Sequence, residues 1–178
     1  MPGARQERRT DLQRDVRQLV DRGALMDLVH AYCLLFDENR PEEVAALFTD
    51  DATVDYGPES ATIVGRDSIA RTIAVGLTRT FAATSHHVSN LQVVFEGDDL
   101  ARSTSTLYAW HRYVDGGPDG ELWGRYLHRF VRTSEGGWRI RELRLEAAGT
   151  VDFHRRTMHP IGRRGAAGGP AEDTATFA

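Results

Sequence analysis

Apolar residues recur every three or four positions along the first part of the chain, which is typical of an amphipathic helix. Gly23 lies inside this pattern and is expected to bend or divide the helix. The sequence therefore predicts a long helical segment between Asp11 and Glu38. Its apolar positions are Leu12, Val16, Leu19, Val20, Leu25, Met26, Val29, Cys33 and Phe36.

Shorter elements are predicted between this helix and Ser85. Pro41 follows Asn39 and Arg40 and is well placed to start a second helix, because proline fits a first helical turn. Asp67 is positioned to cap a third helix. The predicted bounds are a second helix from Pro41, a turn at 49–52, strands at 53–56 and 63–65, and a third helix over 68–79.

From Ser85 onward the pattern changes to long strands separated by glycine-rich turns. Helices followed by strands indicate an α+β domain, with helices packed on one face of a curved, mostly antiparallel sheet. Such a sheet is cone-shaped, and its open end would form an internal pocket for a small molecule. The predicted strands cover about 85–96, 100–114, 121–133 and 137–152.

The polar N-terminus and the glycine- and alanine-rich C-terminus flank this pattern. We predict a flexible arm over 1–10, a single domain over 11–153 and a tail over 154–178.

Composition narrows the possible partners. The chain has 178 residues, enough for one domain, and a net charge of −4. It lacks the basic excess typical of nucleic-acid or anionic-membrane binding, so a small-molecule partner is expected. One cysteine excludes an internal disulfide framework, and no apolar run resembles a signal peptide or a membrane span. We therefore expect a cytoplasmic protein.

Several segments resemble the nuclear transport factor two-like superfamily in its SnoaL-like and scytalone dehydratase-like branch. The resemblance covers about 11–153. The segments that carry it are Ala-Tyr-Cys-Leu-Leu-Phe-Asp-Glu-Asn at 31–39, Val-Ala-Ala-Leu-Phe-Thr-Asp-Asp-Ala-Thr-Val-Asp-Tyr at 44–56, Gly-Arg-Asp-Ser-Ile at 65–69, Ser-His-His-Val-Ser-Asn at 85–90, and Gly-Gly-Trp-Arg-Ile-Arg-Glu-Leu-Arg-Leu at 136–145. The resemblance implies a cystatin-like cone or α+β barrel. Members include dehydratases, isomerases, polyketide cyclases and proteins without catalysis, so fold alone does not give function.

The resemblance also implies site residues. Tyr32, Asp37 and His86 match the tyrosine, aspartate and histidine of the dehydratase-like branch. Further catalytic candidates that match this pattern are Tyr56 and His111. Arg144 resembles the arginine that related lyases place in the pocket, where it would bind substrate.

A carboxylate and an imidazole are the usual parts of a proton-transfer pair. His86 could take or deliver a proton near neutral pH, and Asp37 could orient its ring and stabilise the imidazolium. Alternatively, Asp37 is a polar residue at a helix end and His86 a surface strand residue. Because a helix C-terminus disfavours a carboxylate, we expect a cationic group near Asp37.

The facing of the histidine strand is left open by the sequence. Alternation groups His87 with the apolar residues Leu91 and Val93, which favours His87 as the inward residue. The resemblance favours His86, because the family histidine stands four residues before the asparagine, here Asn90. We choose His86 and retain His87 as the competitor. Adjacent strand residues point to opposite faces, so no metal site is predicted.

Tyr32 and Tyr56 could stabilise an enolate, and each could equally be a core aromatic. His111 could be a second acid or an exposed neighbour of Arg112. Arg144 could bind substrate, but most arginines in strands face solvent. The remaining substrate-binding candidates are Trp110, Trp123, Phe81, Tyr126, His87 and Asn90.

These residues predict a cofactor-independent lyase, a dehydratase acting on a small cyclic hydroxy-carbonyl compound of polyketide or steroid type. The alternatives are an isomerase or polyketide cyclase using the same base, and a non-catalytic small-molecule-binding or assembly subunit. The outer face of the long-strand sheet predicts self-association as a homodimer or homotrimer.

Overall fold

The structure is a computed structural model that describes residues 2–162, with side chains from residue 9 onward. Residues 163–178 of the predicted tail lie outside the described residues. The helices are α1 (Pro2–Asp37), α2 (Pro41–Ala46) and α3 (Arg66–Arg79). The strands are β1 (Phe48–Asp55), β2 (Ile63–Val64), β3 (Phe81–Phe95), β4 (Leu100–Tyr113), β5 (Gly120–Arg132) and β6 (Trp138–Val151).

The strands form one curved, open sheet in the order β2-β1-β6-β5-β4-β3. Strand β1 runs parallel to β6, and the other neighbours are antiparallel. Helix α1 packs its C-terminal half against the concave face, where apolar side chains from both layers form the core. The predicted α+β class is confirmed. Within residues 2–162 no helix is long and apolar enough to span a membrane.

Helix α1 is longer than predicted and is not divided at Gly23. It begins at Pro2, inside the segment predicted as an arm, and continues through Gly23 without a break. A β-carbon at Gly23 would meet no atom within 4 Å, so this glycine serves no close contact and costs the helix only about 1 kcal/mol. The helix side chains over 9–20 are exposed, and packing begins at Asp21 and Leu25.

A buried polar contact fixes α1 to the end of the sheet. Arg132 donates from Nη2 to Oδ2 of Asp21 over 2.6 Å, and the indole N–H of Trp138 donates to Oδ1 over 3.0 Å. The guanidinium of Arg132 also lies 4.4 Å from the centre of the Trp138 ring. Burial alone would raise the pKa of Asp21, but the hydrogen bonds from Arg132 and Trp138 outweigh that effect. The pKa of Asp21 therefore lies below its usual value.

The first strand begins earlier than predicted. Strand β1 starts at Phe48, so residues 49–52 belong to a strand rather than to a turn. The register against β6 shifts between Phe48 and Thr53, which is an irregularity that an alternation pattern does not reveal. Strand β3 likewise starts at Phe81 rather than at Ser85.

Strand β3 changes its facing at a β-bulge. The register against β4 shifts between Ser89 and Gln92, and Asn90 has a positive φ of 51°. On the N-terminal side of the bulge, His86 and Val88 point to the interior. On its C-terminal side, Val93 points to the interior. The bulge therefore lets one strand present even-numbered residues to the interior in its first half and odd-numbered residues in its second half.

The chain after β6 turns back across the open end of the sheet. We call residues 152–161 the closing segment. Its backbone is held at Tyr113 by a 3.0 Å hydrogen bond from the His154 N–H, and at Glu59 by a 2.5 Å hydrogen bond from the Thr157 N–H. Farther along, Nε2 of His159 lies within hydrogen-bond distance of Oδ2 of Asp55, at 2.9 Å. The closing segment thus contacts the connection between β1 and β2 at several points.

Candidate active site

A cavity of about 230 Å³ lies between α1, α3, the concave face of the sheet and the closing segment. Most of its wall is aromatic or aliphatic, with a few polar groups, which is the usual character of a small-ligand site. The lining residues are Tyr32, Phe36, Tyr56, Thr72, Ile73, Gly76, Thr80, Phe81, His86, His111, Tyr126, Leu145, Phe153, His154 and Arg155.

Asp37 and His86 form a close pair at one side of the cavity. The His86 ring donates from Nδ1 to Oδ1 of Asp37 over 2.6 Å. A carboxylate without a proton can only accept, so Nδ1 carries the hydrogen and the neutral ring has its lone pair on Nε2. The His86 side chain is 5% exposed, and its ring packs edge-on against Phe36 with centroids 5.0 Å apart.

Two further donors hold the Asp37 carboxylate. The backbone N–H of His86 donates to Oδ2 over 2.7 Å, and the Thr84 hydroxyl donates to Oδ1 over 2.7 Å. Burial raises the pKa of Asp37, but the hydrogen bonds and the charge from His86 lower it below the usual range. Asp37 is the last residue of α1, so these donors offset the unfavourable position at the helix C-terminus.

Tyr32 and Tyr56 share a hydrogen bond between their hydroxyl oxygens, which lie 2.7 Å apart. Burial raises the pKa of Tyr32 well above its usual value and that of Tyr56 to about 12. Both phenols therefore keep their protons at neutral pH. Two hydroxyls carry two hydrogens and their mutual bond uses one, so the pair can donate the second to a neighbour in the cavity.

His111 lies inside the cavity beside His86. Its side chain is buried at 4% exposure, and the two rings meet edge to face with centroids 5.6 Å apart. Burial lowers the pKa of His111 to about 3, with a smaller contribution from His86. A neutral imidazole has no imidazolium proton to give at pH 7, which argues against the suggested role as a second acid. Its Nδ1 is buried without a hydrogen-bond partner among residues 9–162.

The other predicted residues divide between the two faces of the sheet. Phe81 and Tyr126 line the cavity as expected. His87 does not, because it is exposed on the opposite face of β3, where its ring lies 5.9 Å from Tyr108. Asn90 occupies the bulge itself and reaches Thr106 across the outer face at 3.4 Å. The inward facing expected for His87 from alternation was wrong because the bulge reverses the alternation.

Three more predicted lining residues lie outside the cavity because their side chains point to the outer face of the sheet. Trp110 alternates with the inward His111 and packs under the Arg112 guanidinium, 5.0 Å from its ring centre. Trp123 is 42% exposed on the outer face. Arg144 alternates with Leu145, which lines the cavity, and lies 3.5 Å from Glu146.

The structure adds cavity residues that the sequence reading did not single out. Phe153, His154 and Arg155 come from the closing segment, whose last eight residues were assigned to the tail. His154 is solvent-exposed on one side, but its ring packs against Phe81 at 5.1 Å, and this partial burial together with Arg155 lowers its pKa to about 4. The sequence signal that could have identified these residues is the run of an aromatic, an imidazole and a guanidinium side chain directly after β6. Helix α3 adds Thr72, Ile73 and Gly76, followed by Thr80.

Within residues 9–162 no three His, Cys, Asp or Glu side chains are grouped so that they could hold a metal ion. Cys33 is buried, and burial raises its pKa to about 12, so it is an inert thiol at neutral pH.

Comparison with known proteins places this geometry in a family. Residues 17–144 match the SnoaL-like domain. A candidate scytalone dehydratase from Novosphingobium aromaticivorans is 36% identical, with a TM-score of 0.77 over 84% of this chain and 98% of that one. No curated protein matches the chain.

More distant structures share the fold. A type 2 hexachlorocyclohexane dehydrochlorinase, LinA, is 19% identical, with a TM-score of 0.72 over 84% of this chain and 99% of that one. A nuclear transport factor two-like protein with a cystatin-like fold from N. aromaticivorans is 25% identical, with a TM-score of 0.65 over 76% and 87% of the two chains. The chain therefore belongs to the SnoaL-like domain family, within the nuclear transport factor two-like superfamily.

Proposed function

We propose that the protein is a cofactor-independent lyase that removes water from a small cyclic hydroxy-carbonyl compound. The observation that supports this most strongly is the hydrogen bond between Asp37 and His86 at the wall of a largely apolar cavity. A held carboxylate fixes the ring so that Nε2 can accept a proton, and it stabilises the imidazolium that results. The relatives' names are consistent with lyase-type or isomerase chemistry.

In the proposed reaction His86 takes a proton from the carbon next to the substrate carbonyl. The electron pair of the broken C–H bond forms a C=C bond, and the carbonyl π pair moves to oxygen. The second hydrogen of the Tyr32 and Tyr56 pair stabilises this enolate oxygen, which is the role of a preorganised donor in a dry site.

Collapse of the enolate then expels the β-hydroxyl group. The carbonyl re-forms, a C=C bond forms between the α and β carbons, and the C–O bond breaks. The leaving oxygen takes the proton from the His86 imidazolium and departs as water. The base is thereby restored, and no external oxidant or reductant is needed.

The same base could move a proton without loss of water, which would make the protein an isomerase or cyclase. The mass of the product separates these reactions, because only dehydration removes one water. A non-catalytic binding or assembly subunit would not need His86 and Asp37 in contact, and their 2.6 Å separation favours an enzyme over that alternative.

The test uses a hydroxytetralone whose hydroxyl is β to the carbonyl, because its dehydration product is aromatic and easily detected. We expect His86→Ala to lower kcat/KM by about 100-fold or more. His87→Ala is the matched control, since His87 is adjacent but faces the opposite side of β3. Equal turnover in the wild type and in His86→Ala would contradict the proposal.

A further inference from the structure

One permanently charged side chain lines the cavity. Of the lining residues within 9–162, Arg155 alone carries a guanidinium, and neither Asp nor Glu is among them. It lies on the closing segment and is partly buried. The neighbouring Tyr56 is a neutral phenol at pH 7, and burial lowers the pKa of His111 to about 3 and that of His154 to about 4, so both imidazoles are neutral as well. Within residues 9–162, Arg155 is thus the charged side chain of the lining near the closing segment, and the Glu59 carboxylate, which is not part of the lining, lies near enough to raise the pKa of His154.

Arg155 has a neutral partner rather than a carboxylate. Its Nη1 donates to the Ser60 hydroxyl over 3.0 Å, and no carboxylate of the described side chains forms an ion pair with it. By contrast, Arg132 and Arg125 each meet a carboxylate at 2.6 Å. A guanidinium has five N–H donors, so the bond to Ser60 leaves most of them for a ligand. Ser60 fixes the position of the group without neutralising its charge.

The charge of Arg155 acts on the interior of the cavity. It lowers the pKa of His154 and opposes the rise in the pKa of Tyr56 that burial causes. Removing a cation partly from water without a counter-ion is unfavourable, and an anionic ligand would offset that cost. A guanidinium matches the planar, two-oxygen geometry of a carboxylate better than it matches any neutral group.

The geometry points to a subsite for an anionic substituent at Arg155, so the substrate ring carries a carboxylate or a similar planar anion. This inference rests on the proposed function, because it names the class of substrate that the same cavity takes. It also gives the substrate a fixed orientation. The anionic end lies beside the closing segment, and the reacting carbon faces His86.

Equilibrium binding tests the subsite without any turnover. The probes are benzoate and benzamide, which have nearly the same shape and differ in charge, and titration calorimetry at pH 7 measures their Kd. We expect the wild type to bind benzoate at least about tenfold more tightly than benzamide, as a charge-assisted hydrogen bond allows. Arg155→Gln should remove that preference.

The matched control is Arg156→Gln, because Arg156 is exposed and does not line the cavity. It should retain the preference for benzoate. Equal affinities of the wild type for the two probes, including no detectable binding of either, would overturn the inference, and so would an unchanged preference in Arg155→Gln.

The outcome is separable from that of the proposed function. His86→Ala is expected to lose turnover and keep the preference for benzoate, because Arg155 and His86 belong to different elements. Loss of the preference in Arg155→Gln with no dehydratase activity in the wild type would support the subsite and reject the lyase.

Discussion

His86 and His111 face each other edge to face at 5.6 Å, yet only His86 has a carboxylate partner. This difference separates their chemistry. Asp37 accepts the Nδ1 hydrogen of His86 and so leaves the lone pair of the neutral ring on Nε2, whereas burial lowers the pKa of His111 to about 3. The cavity thus contains one imidazole oriented to receive a proton and one that stays neutral at pH 7.

Asp37→Asn should reduce turnover while preserving the fold. The amide has nearly the same shape but cannot stabilise an imidazolium, so kcat/KM should fall by about two orders of magnitude or more. Steady-state kinetics on the hydroxytetralone measures the effect. Glu38→Gln changes the exposed neighbouring carboxylate and should leave the rate within twofold. Wild-type rates in Asp37→Asn would exclude the assigned orienting role.

The tyrosine pair should act as a unit. Tyr32→Phe and Tyr56→Phe each remove one partner of the same hydrogen bond, so each should lower kcat by about 10- to 100-fold. The double variant should lose less than the product of the two single effects, because the second substitution removes a group already deprived of its partner. Strictly multiplicative losses in the kinetic cycle would show that the two hydroxyls act independently.

Acid should destabilise the fold through its buried histidines. Burial lowers the pKa of His111 and of His128 to about 3. Between that value and the unfolded-state pKa of about 6.5, the unfolded chain binds more protons, so stability falls as the pH falls. Each histidine should cost about 2 kcal/mol on going from pH 7 to pH 5.

Urea unfolding at the two pH values measures this loss. His128→Gln removes one of the titrating groups and should make the loss smaller by about 2 kcal/mol. His87→Gln is the exposed control and should leave the loss unchanged. A loss in His128→Gln equal to that of the wild type would show that His128 is not the neutral, buried group described above.

The contact between Asp21 and Arg132 should contribute strongly to stability. Asp21→Ala would leave the Arg132 guanidinium, only 15% exposed, with Asp99 at 3.4 Å as its remaining carboxylate, and the indole N–H of Trp138 without its acceptor. We expect a loss of about 3 kcal/mol in the free energy of unfolding, because a partly buried cation loses its closer carboxylate and a buried donor loses its partner. Asp15→Ala changes an exposed residue of the same helix and should stay within about 0.5 kcal/mol of the wild type.

The outer face of the sheet is expected to mediate self-association. An open groove on this face includes Tyr108, the 42% exposed Trp123 and Arg125. We expect a dimer or trimer in sedimentation experiments, and Trp123→Asp should yield a monomer because it places a charge in an apolar contact. Val75→Asp, on the exposed side of α3, should keep the assembly. A monomeric wild type would contradict this expectation.

Much of the fold could be predicted because its signals are local. The three- and four-residue spacing located α1, and the glycine-rich turns located the four long strands to within a few residues. The pairing of Asp37 with His86 could not come from spacing, since the two residues are 49 positions apart in sequence. Resemblance to a family supplied that contact.

The predictions that differ from the structure do so for physical reasons that cannot be inferred from one sequence. The facing of His87 depends on the bulge at Asn90, which alternation cannot show. Arg144 and Arg155 are both plausible cations for the cavity, and only the path of the chain after β6 brings Arg155 to its wall. Contacts made by an irregular segment have no periodic signature, so the prediction places residues 154–161 of the closing segment in the tail.

The bulge at Asn90 also has a consequence for how this strand tolerates change. If the strand kept all its residues but lost the bulge, every residue upstream would change face, and His87 would point to the interior. The histidine doublet would then still place an imidazole in the cavity. Its neighbours would differ, however, because the backbone N–H of His86 that now bonds to Asp37 would be displaced. Substitutions at Asn90 that disfavour its positive φ, and with it the bulge, are therefore a direct route by which related chains could exchange one base geometry for another.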